Sequence, residues 1–156
     1  MILTYEDYTA VYGEEALSQT AFDLIDVKIE AILDDLTTGI DGVHKLRVAF
    51  PTDETDAAAI RDCAISMVHA VAELDALRTA VLSGSGGMVS SKSSGSESIS
   101  YATGGATDLM KLSVDPAAQR SQLAAQARIY LSGRQDANGV NLLYMGPYPY
   151  TVTEET

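Results

Sequence analysis

Apolar side chains recur at three- and four-residue spacing in three stretches of the chain, which is the pattern of half-buried helices. The first stretch begins near Ser18 and carries Phe22, Ile25, Ile29, Ile32, Leu33 and Leu36. The second runs from about Thr52 to Leu82 and carries Ile60, Met67, Val71, Leu74, Leu77 and Val81, backed by Ala64 and Val68. The third carries Leu123, Ala127, Tyr130 and Leu131. The pattern predicts a mainly α fold, a small bundle of about three to four helices.

Capping residues set the expected helix ends. Thr4, followed three residues later by Asp7, predicts a short helix through Tyr12 that Gly13 can end, with Tyr5, Tyr8 and Tyr12 on one face. Thr37, Thr38 and Gly39 are expected to end the next helix, before an irregular loop over residues 39–52. Thr52 or Asp53 can cap the central helix, whereas Asp115 with Pro116 opens the last one and Gly133 ends it.

Between the last two long helices the composition changes abruptly to serine and glycine. Such a stretch cannot bury much apolar surface, so residues 83–98 are interpreted as a mobile loop. Alternation over residues 99–103 favours a short strand or hairpin arm, with Ile99, Ser100, Tyr101 and Thr103 as candidate contact residues. The expected division is a helical domain over residues 1–133, including loop and arm, and a tail over residues 134–156.

The C-terminal tail is apolar and aromatic, and its two prolines, Pro147 and Pro149, block regular structure. With no helix to fold it back, the tail is expected to be extended and to dock against a partner. Its candidate docking residues are Leu142, Leu143, Tyr144, Met145, Tyr148 and Tyr150.

Charge and cysteine content narrow the class of protein. The chain of 156 residues has 22 acidic and 10 basic side chains and a net charge of -12, which disfavours tight binding to nucleic-acid phosphates. Its one cysteine excludes an intrachain disulfide. No signal peptide or apolar run long enough for a membrane span is apparent, so we expect a soluble single domain made in the cytosol, with no membrane partner.

Motifs for catalysis or cofactor binding are weak. Residues 84–93 superficially resemble a phosphate-binding loop, but Ser91 stands where glycine is needed and a helix, not a strand, precedes them. His44 and His69 lack neighbours at metal-ligand spacing, and we expect His69 to have an interfacial or core role. Cys63 is interpreted as a small apolar filler of the central helix. We therefore expect no enzyme activity, metal or cofactor.

Two further groups of polar side chains have plain interpretations. The adjacent acidic pairs Glu14–Glu15 and Asp34–Asp35 diverge in direction on a helix, so they are expected to be solvated surface. The tyrosines could form a stacking platform for single-stranded nucleic acid, but such platforms accompany basic grooves. Packing at contacts between subunits is the favoured role of the tyrosines.

Four segments, in order and spacing, carry a resemblance to a known family. They are residues 3–8 (LTYEDY), the helix from Ala21-Phe22 to Asp35-Leu36-Thr37, the Ser/Gly loop running into residues 96–101 (SESISY), and residues 127–133 (ARIYLSG) followed by 142–146 (LLYMG). Together they resemble the head-tail connector proteins, also called adaptor or head-completion proteins, of long-tailed phages and prophages. The chain departs from that pattern in residues 134–141, an insertion, and in a longer Ser/Gly loop.

The resemblance implies a structural virion protein of the phage neck, assembled in the host cytoplasm. Its members form a closed homo-oligomeric ring, typically twelve-fold, beneath the portal protein, and offer a platform to the next neck or tail-completion protein. DNA would pass through the lumen without specific binding. Under this interpretation the arm at residues 99–103 contacts the neighbouring subunit and the tail at residues 142–150 faces the portal.

Two alternatives stay open at the sequence level. The chain could be another neck or tail-completion protein, many of which are rich in sheet, or a small helical regulatory protein that binds a partner through its apolar tail. Helical content separates the first alternative from the connector hypothesis, and assembly with a portal protein separates the second.

Overall fold

The computed structural model describes residues 2–83, 92–94, 97–99, 112 and 114–150. Within them it contains five helices and two short strands. The helices are α1 (Tyr5–Tyr12), α2 (Gln19–Thr37), α3 (Lys45–Val48), α4 (Glu54–Leu82) and α5 (Pro116–Leu131), and the strands are β1 (Lys92–Ser94) and β2 (Glu97–Ile99). The prediction of a mainly helical bundle is confirmed.

Helix starts lie where the capping residues predict them. The Thr4 hydroxyl accepts from the Asp7 amide, and the Asp7 carboxylate accepts from the Thr4 amide, a reciprocal capping box. Ser18 caps α2 through the Ala21 amide. Asp53 caps α4 and Asp115 caps α5, each through two backbone amides. These side chains satisfy amides that have no partner inside their helices.

Helices α2, α4 and α5 pack against one another as a three-helix core, and α1 lies on α2. The predicted apolar stripes of α2 and α5 fill this core, with Leu36 and Tyr130 at its edge, together with the part of the α4 stripe from Ile60 to Val71. Tyr8 of α1 is fully buried, and its ring contacts Phe22 of α2 at 5.7 Å between centroids. The core residues with the least exposure include Ile29, Leu33, Ile60, Met67, Val68, Leu131 and Leu142.

The central helix is buried over only part of its length. Val71 is the last buried residue of α4 among the described side chains, although the apolar periodicity continues through Leu74 and Leu77. Leu77 is exposed. The eleven residues of α4 after Val71 span about 16 Å, and their described side chains are exposed or half-buried, with Ala72 still packed against the core.

Two predictions in the middle of the chain need correction. Residues 39–52, expected to be irregular, contain the four-residue helix α3, which packs against α2. Residues 83–98, expected to be a mobile loop, contain β1 and most of β2, which pair antiparallel with Lys92 opposite Ile99. The strand β2 begins two residues before the predicted strand and includes its first residue, Ile99. Residues 84–91, 95–96 and 100–103 lie outside the described residues, and the description of the arm ends at Ile99.

The prediction of an extended C-terminal tail is wrong for residues 134–150, which fold back onto the bundle. Leu142 joins the main core, and Val140 and Tyr148 form a second small core with Ala49. The backbone also takes part, because the Ala137 amide donates to the Ala49 carbonyl at 3.0 Å. The predicted domain boundary at residue 133 therefore falls within one packed unit.

No helix in the described part of the chain is long and apolar enough to cross a membrane.

Candidate functional site

Lys45 fastens the C-terminal segment (residues 134–150) to the bundle. Its side chain is 0% exposed, and its ammonium donates to the carbonyls of Thr37 at 3.0 Å, Leu142 at 3.2 Å and Tyr144. Burial lowers the pKa of Lys45, while the nearby carboxylates of Asp136 and Asp41 act in the opposite direction. The lysine thus joins the end of α2 to a segment about a hundred residues later in the chain.

A second set of hydrogen bonds centres on Tyr148. Its hydroxyl donates to Asp136 Oδ2 at 2.6 Å and accepts from the Asn138 side chain at 2.9 Å. Its backbone amide donates to Asp41 Oδ2 at 2.6 Å, and this bond holds the pKa of Asp41 below its usual value. Burial raises the pKa of the Tyr148 hydroxyl, which keeps it a donor to Asp136. The C-terminal segment is therefore rigidly positioned.

The tail residues proposed for docking separate into buried and exposed sets. Leu142 and Tyr148 are buried and Leu143 is half-buried, so these three hold the segment in place and cannot dock to a partner without leaving the core. Tyr144, Met145 and Tyr150 are exposed. Sequence reasoning included both sets because an apolar side chain in a tail gives no sign of its direction.

Met145, among the exposed members, lies beside the loop that follows α2, and the Tyr150 ring contacts that of Tyr148. The Ile40 amide donates to the Met145 carbonyl at 2.9 Å, and the Ile40 side chain is 81% exposed. We call Ile40, Tyr144, Met145 and Tyr150 the apolar rim. A Cβ on Gly39 would come within 2.8 Å of the Gly146 carbonyl oxygen. The backbone segments around Gly39 and Gly146 therefore lie too close together for a larger residue at position 39. The rim is a fixed apolar surface built from two distant parts of the chain.

A second apolar surface lies on the outward face of α2. Leu24, Val27 and Ala31 follow the i, i+3, i+7 spacing on the side opposite the buried stripe, and Val27 is 69% exposed. We call these three residues the α2 outer face. The sequence analysis followed one apolar stripe along this helix, from Phe22 to Leu36, and missed the second, shorter stripe on the opposite side.

The predicted arm residues are only partly described. Ile99 ends β2 and pairs with Lys92. Ser100, Tyr101 and Thr103 lie outside the described residues.

The residues considered as metal ligands or catalytic groups include His69 and Cys63, and both make contacts with neighbouring side chains of the fold. The His69 ring stacks on Tyr12 at 3.7 Å, and its Nδ1 shares a 3.1 Å hydrogen bond with the Tyr8 hydroxyl. Its side chain is 29% exposed, so it lies at the edge of the bundle; the interfacial or core role stays a prediction. Cys63 is fully buried beside Met67, and burial raises the pKa of its thiol to about 12, as expected of an apolar filler. No group of three or more His, Cys, Asp or Glu side chains in the described ranges could hold a metal ion.

The prediction of a solvated Asp34–Asp35 pair is wrong for Asp34. Its Oδ2 contacts Arg47 at 2.8 Å and His44 at 2.9 Å, and only 13% of its side chain is exposed. Asp34 and Arg47 line a surface cleft of about 490 Å³ together with Ile2, Glu30, Leu46 and Phe50. Asp35 is exposed as predicted and pairs with Arg120 of α5. The paired charges in the cleft join α2 to α3, which is a structural role.

Comparison of the chain with protein-family models, with curated proteins and with solved structures finds no match.

Proposed function

We propose that the protein is a head-tail connector subunit of a tailed-phage neck, which assembles into a ring beneath the portal protein and provides the passage for DNA into the tail. The observation that carries the proposal is the presence of two separate exposed apolar surfaces on one small helical bundle. A cyclic ring needs different patches on one subunit to meet different partners. The resemblance of four ordered segments to connector proteins names the kind of ring.

The two surfaces are far enough apart to serve different partners. The apolar rim lies beyond the C-terminal end of α2, next to Thr37 and the loop that follows it. Ala31 is six residues before Thr37, Val27 is ten and Leu24 is thirteen, so the α2 outer face lies about 9–20 Å back along the helix axis. One partner can therefore cover the rim while another covers the α2 outer face.

We assign the rim to the portal. Interfaces are enriched in exposed tyrosine and methionine at their centres, and Tyr144, Met145 and Tyr150 provide these side chains on a backbone that Lys45 and Asp41 hold in place. A rigid rim loses little conformational freedom on binding. This assignment keeps the portal-facing role for the exposed tail residues and withdraws it from Leu142, Leu143 and Tyr148.

The hairpin of β1 and β2 is the candidate arm toward a neighbouring subunit. Two strands of three residues are marginal by themselves, so pairing with an adjacent edge would stabilise them. The net charge of -12 also fits a conduit, since carboxylates around a lumen repel DNA phosphates and let DNA slide without specific binding. Of the cations that could oppose this, Lys45 is buried and Arg47 is paired with Asp34.

The test is assembly with the portal protein encoded by the same genome. Size-exclusion chromatography with light scattering would be run on the protein alone and then mixed with portal, followed by negative-stain imaging. We expect a ring, alone or on the portal. The double variant Tyr144→Ser/Met145→Ser should lose portal binding, whereas Val11→Ser, which removes an exposed apolar side chain from α1, should retain it.

A chain that stays monomeric and does not bind the portal would refute the proposal and favour the helical regulatory protein. Binding to a tail-tube end instead of the portal would indicate a tail-completion protein.

A further inference from the structure

We propose that the α2 outer face of one subunit packs against the outward face of α5 of the next copy of this chain, so that α2 and α5 are the two sides of the contact that closes the ring. This inference rests on the proposed function, because it names the contact between neighbouring subunits. The occupant of the α2 outer face is therefore a second copy of the chain.

The first observation is that α2 is apolar on two sides. Its inner stripe is buried against α4 and α5, but Leu24 and Val27 on the outer face remain largely exposed within the single chain. Neighbouring exposed apolar side chains on a soluble protein mark candidate sites of contact with a partner. The bundle supplies no cover in the described residues, which leaves the outer face to be covered in an assembly.

The second observation is the outward face of α5. Ile129 is 78% exposed, and Ala125 lies one turn before it on the same side. Arg128, beside Ile129, is exposed and has no ion-pair partner in the described part of the chain. The face therefore presents one large apolar side chain, a small residue that permits close approach, and a free positive charge.

Charge selects the pairing of these two helices. The α2 helix contains five acidic side chains and one lysine, whereas α5 contains two arginines and no acidic side chain. Asp26 is buried, Asp34 is paired with Arg47 and His44, and Asp35 is paired with Arg120. Asp23 of α2 and Arg128 of α5 are therefore the exposed charges that a contact between the two faces can bring together. Among the described helices of eight or more residues, α5 alone has a net positive charge. A contact of α2 against α5 sets the exposed Asp23 near the exposed Arg128, which is a pairing of opposite charges.

The outward faces of α2 and α5 lie on different sides of the bundle, which is the arrangement that a ring contact requires. Because α2, α4 and α5 pack pairwise, their outward faces point in different directions around the bundle axis. A contact from α2 of one copy to α5 of the next is heterologous and can repeat around a closed ring. One pair of helical faces is smaller than a standard stable interface of about 1,600 Å², so assembly should depend on concentration or on the portal.

The first test uses Val27→Glu and Ile129→Glu, which place a charge at the centre of each face. We expect each variant to weaken ring formation at least about tenfold in concentration, which corresponds to about 1.4 kcal/mol. Val11→Glu is the matched control, since Val11 is 61% exposed on α1 and outside both faces. Mixing the two variants should restore a single intact contact and give dimers but no rings.

The second test detects the contact between subunits directly, without a variant designed to disrupt it. Val27→Cys and Ile129→Cys variants would be treated with a short bis-maleimide, with the unsubstituted protein as control because Cys63 is buried. We expect cross-linked dimers when the two variants are mixed and few with either alone. Circular dichroism of every variant checks that the helices are intact.

The outcomes separate this inference from the proposed function. Rings that form normally with Val27→Glu and Ile129→Glu, and no mixed cross-link, would overturn the α2–α5 contact and leave the connector proposal standing. Cross-linking of Val27→Cys alone would overturn it in favour of a two-fold contact. A wild-type chain that forms no ring, alone or with portal, would refute both.

Discussion

Replacing Lys45 by methionine removes the ammonium that joins the end of α2 to the C-terminal segment, and it keeps a side chain of similar length. Three carbonyls, those of Thr37, Leu142 and Tyr144, would lose their donor; the bonds to Thr37 and Leu142 are buried, and the bond to Tyr144 is partly buried. Each unsatisfied buried acceptor costs about 1–3 kcal/mol, partly offset because the charge no longer has to be buried. We expect a loss of roughly 3–5 kcal/mol, a large fraction of the 5–15 kcal/mol typical of a domain.

Urea unfolding followed by circular dichroism measures this loss, and amide hydrogen exchange shows where it occurs. The change should be local first: residues 134–150 should exchange faster in Lys45→Met, while α2 and α4 keep most of their protection. Lys28→Met is the matched control, since Lys28 is exposed on α2 and its replacement should change stability by no more than about 0.5 kcal/mol.

The reasoning would be refuted by a Lys45→Met protein within about 0.5 kcal/mol of wild type whose C-terminal segment exchanges at the wild-type rate. That result would mean that Tyr148 and the apolar contacts of Leu142 hold the segment without the lysine.

Three further predictions concern other parts of the fold. Burial, with Glu30 nearby, raises the pKa of Asp26 from 3.8 to about 6, so its folded form binds the proton more tightly than the unfolded chain. The stability that Asp26 contributes is present below pH 4 and is lost as the pH rises through 6. Asp26→Asn should therefore be more stable than wild type at pH 7, by on the order of 2–3 kcal/mol. In urea titrations the difference in stability should vanish near pH 4. Asp115→Ala should cost about 1 kcal/mol through loss of the α5 cap, measured by urea unfolding. Gly39→Ala should lower the thermal midpoint and cost about 1–3 kcal/mol, because its Cβ meets the Gly146 carbonyl.

Each of these has an outcome that contradicts it. A stability difference between Asp26→Asn and wild type that does not change between pH 4 and 7 would mean that Asp26 is not desolvated. Full stability of Asp115→Ala would mean that the cap contributes nothing. An unchanged midpoint for Gly39→Ala would mean that the rim loops can separate freely.

The parts of the fold that sequence reasoning predicts are those decided locally. Thr4, Ser18, Asp53 and Asp115 cap helices through amides two or three residues away, so a short window contains the whole signal. The α3 helix was missed because four residues with no side-chain cap carry too little local preference to register.

The candidate site could not be predicted, because its determinants are remote from one another. Lys45 contacts Tyr144, 99 positions later, and Tyr148 contacts Asp41, 107 positions earlier. A lysine in a loop and a tail with two prolines each suggest exposure when considered alone. Likewise, the apolar periodicity of α4 continues through Leu77, although Val71 is the last buried residue among its described side chains. Periodicity shows which side chains share a face of a helix, but it does not show whether another element packs on that face.

The attachment of the C-terminal segment to the bundle also implies an order of folding steps during synthesis. The helices α1, α2 and α4 are complete once residue 82 has emerged from the ribosome, but Lys45, Asp41 and Asp56 gain further partners from residues 134–148, which emerge later. Contacts of such long sequence separation form late. Ile40 and Met145 therefore come together in the last step, so a nascent or truncated chain would lack the surface that we assign to the portal.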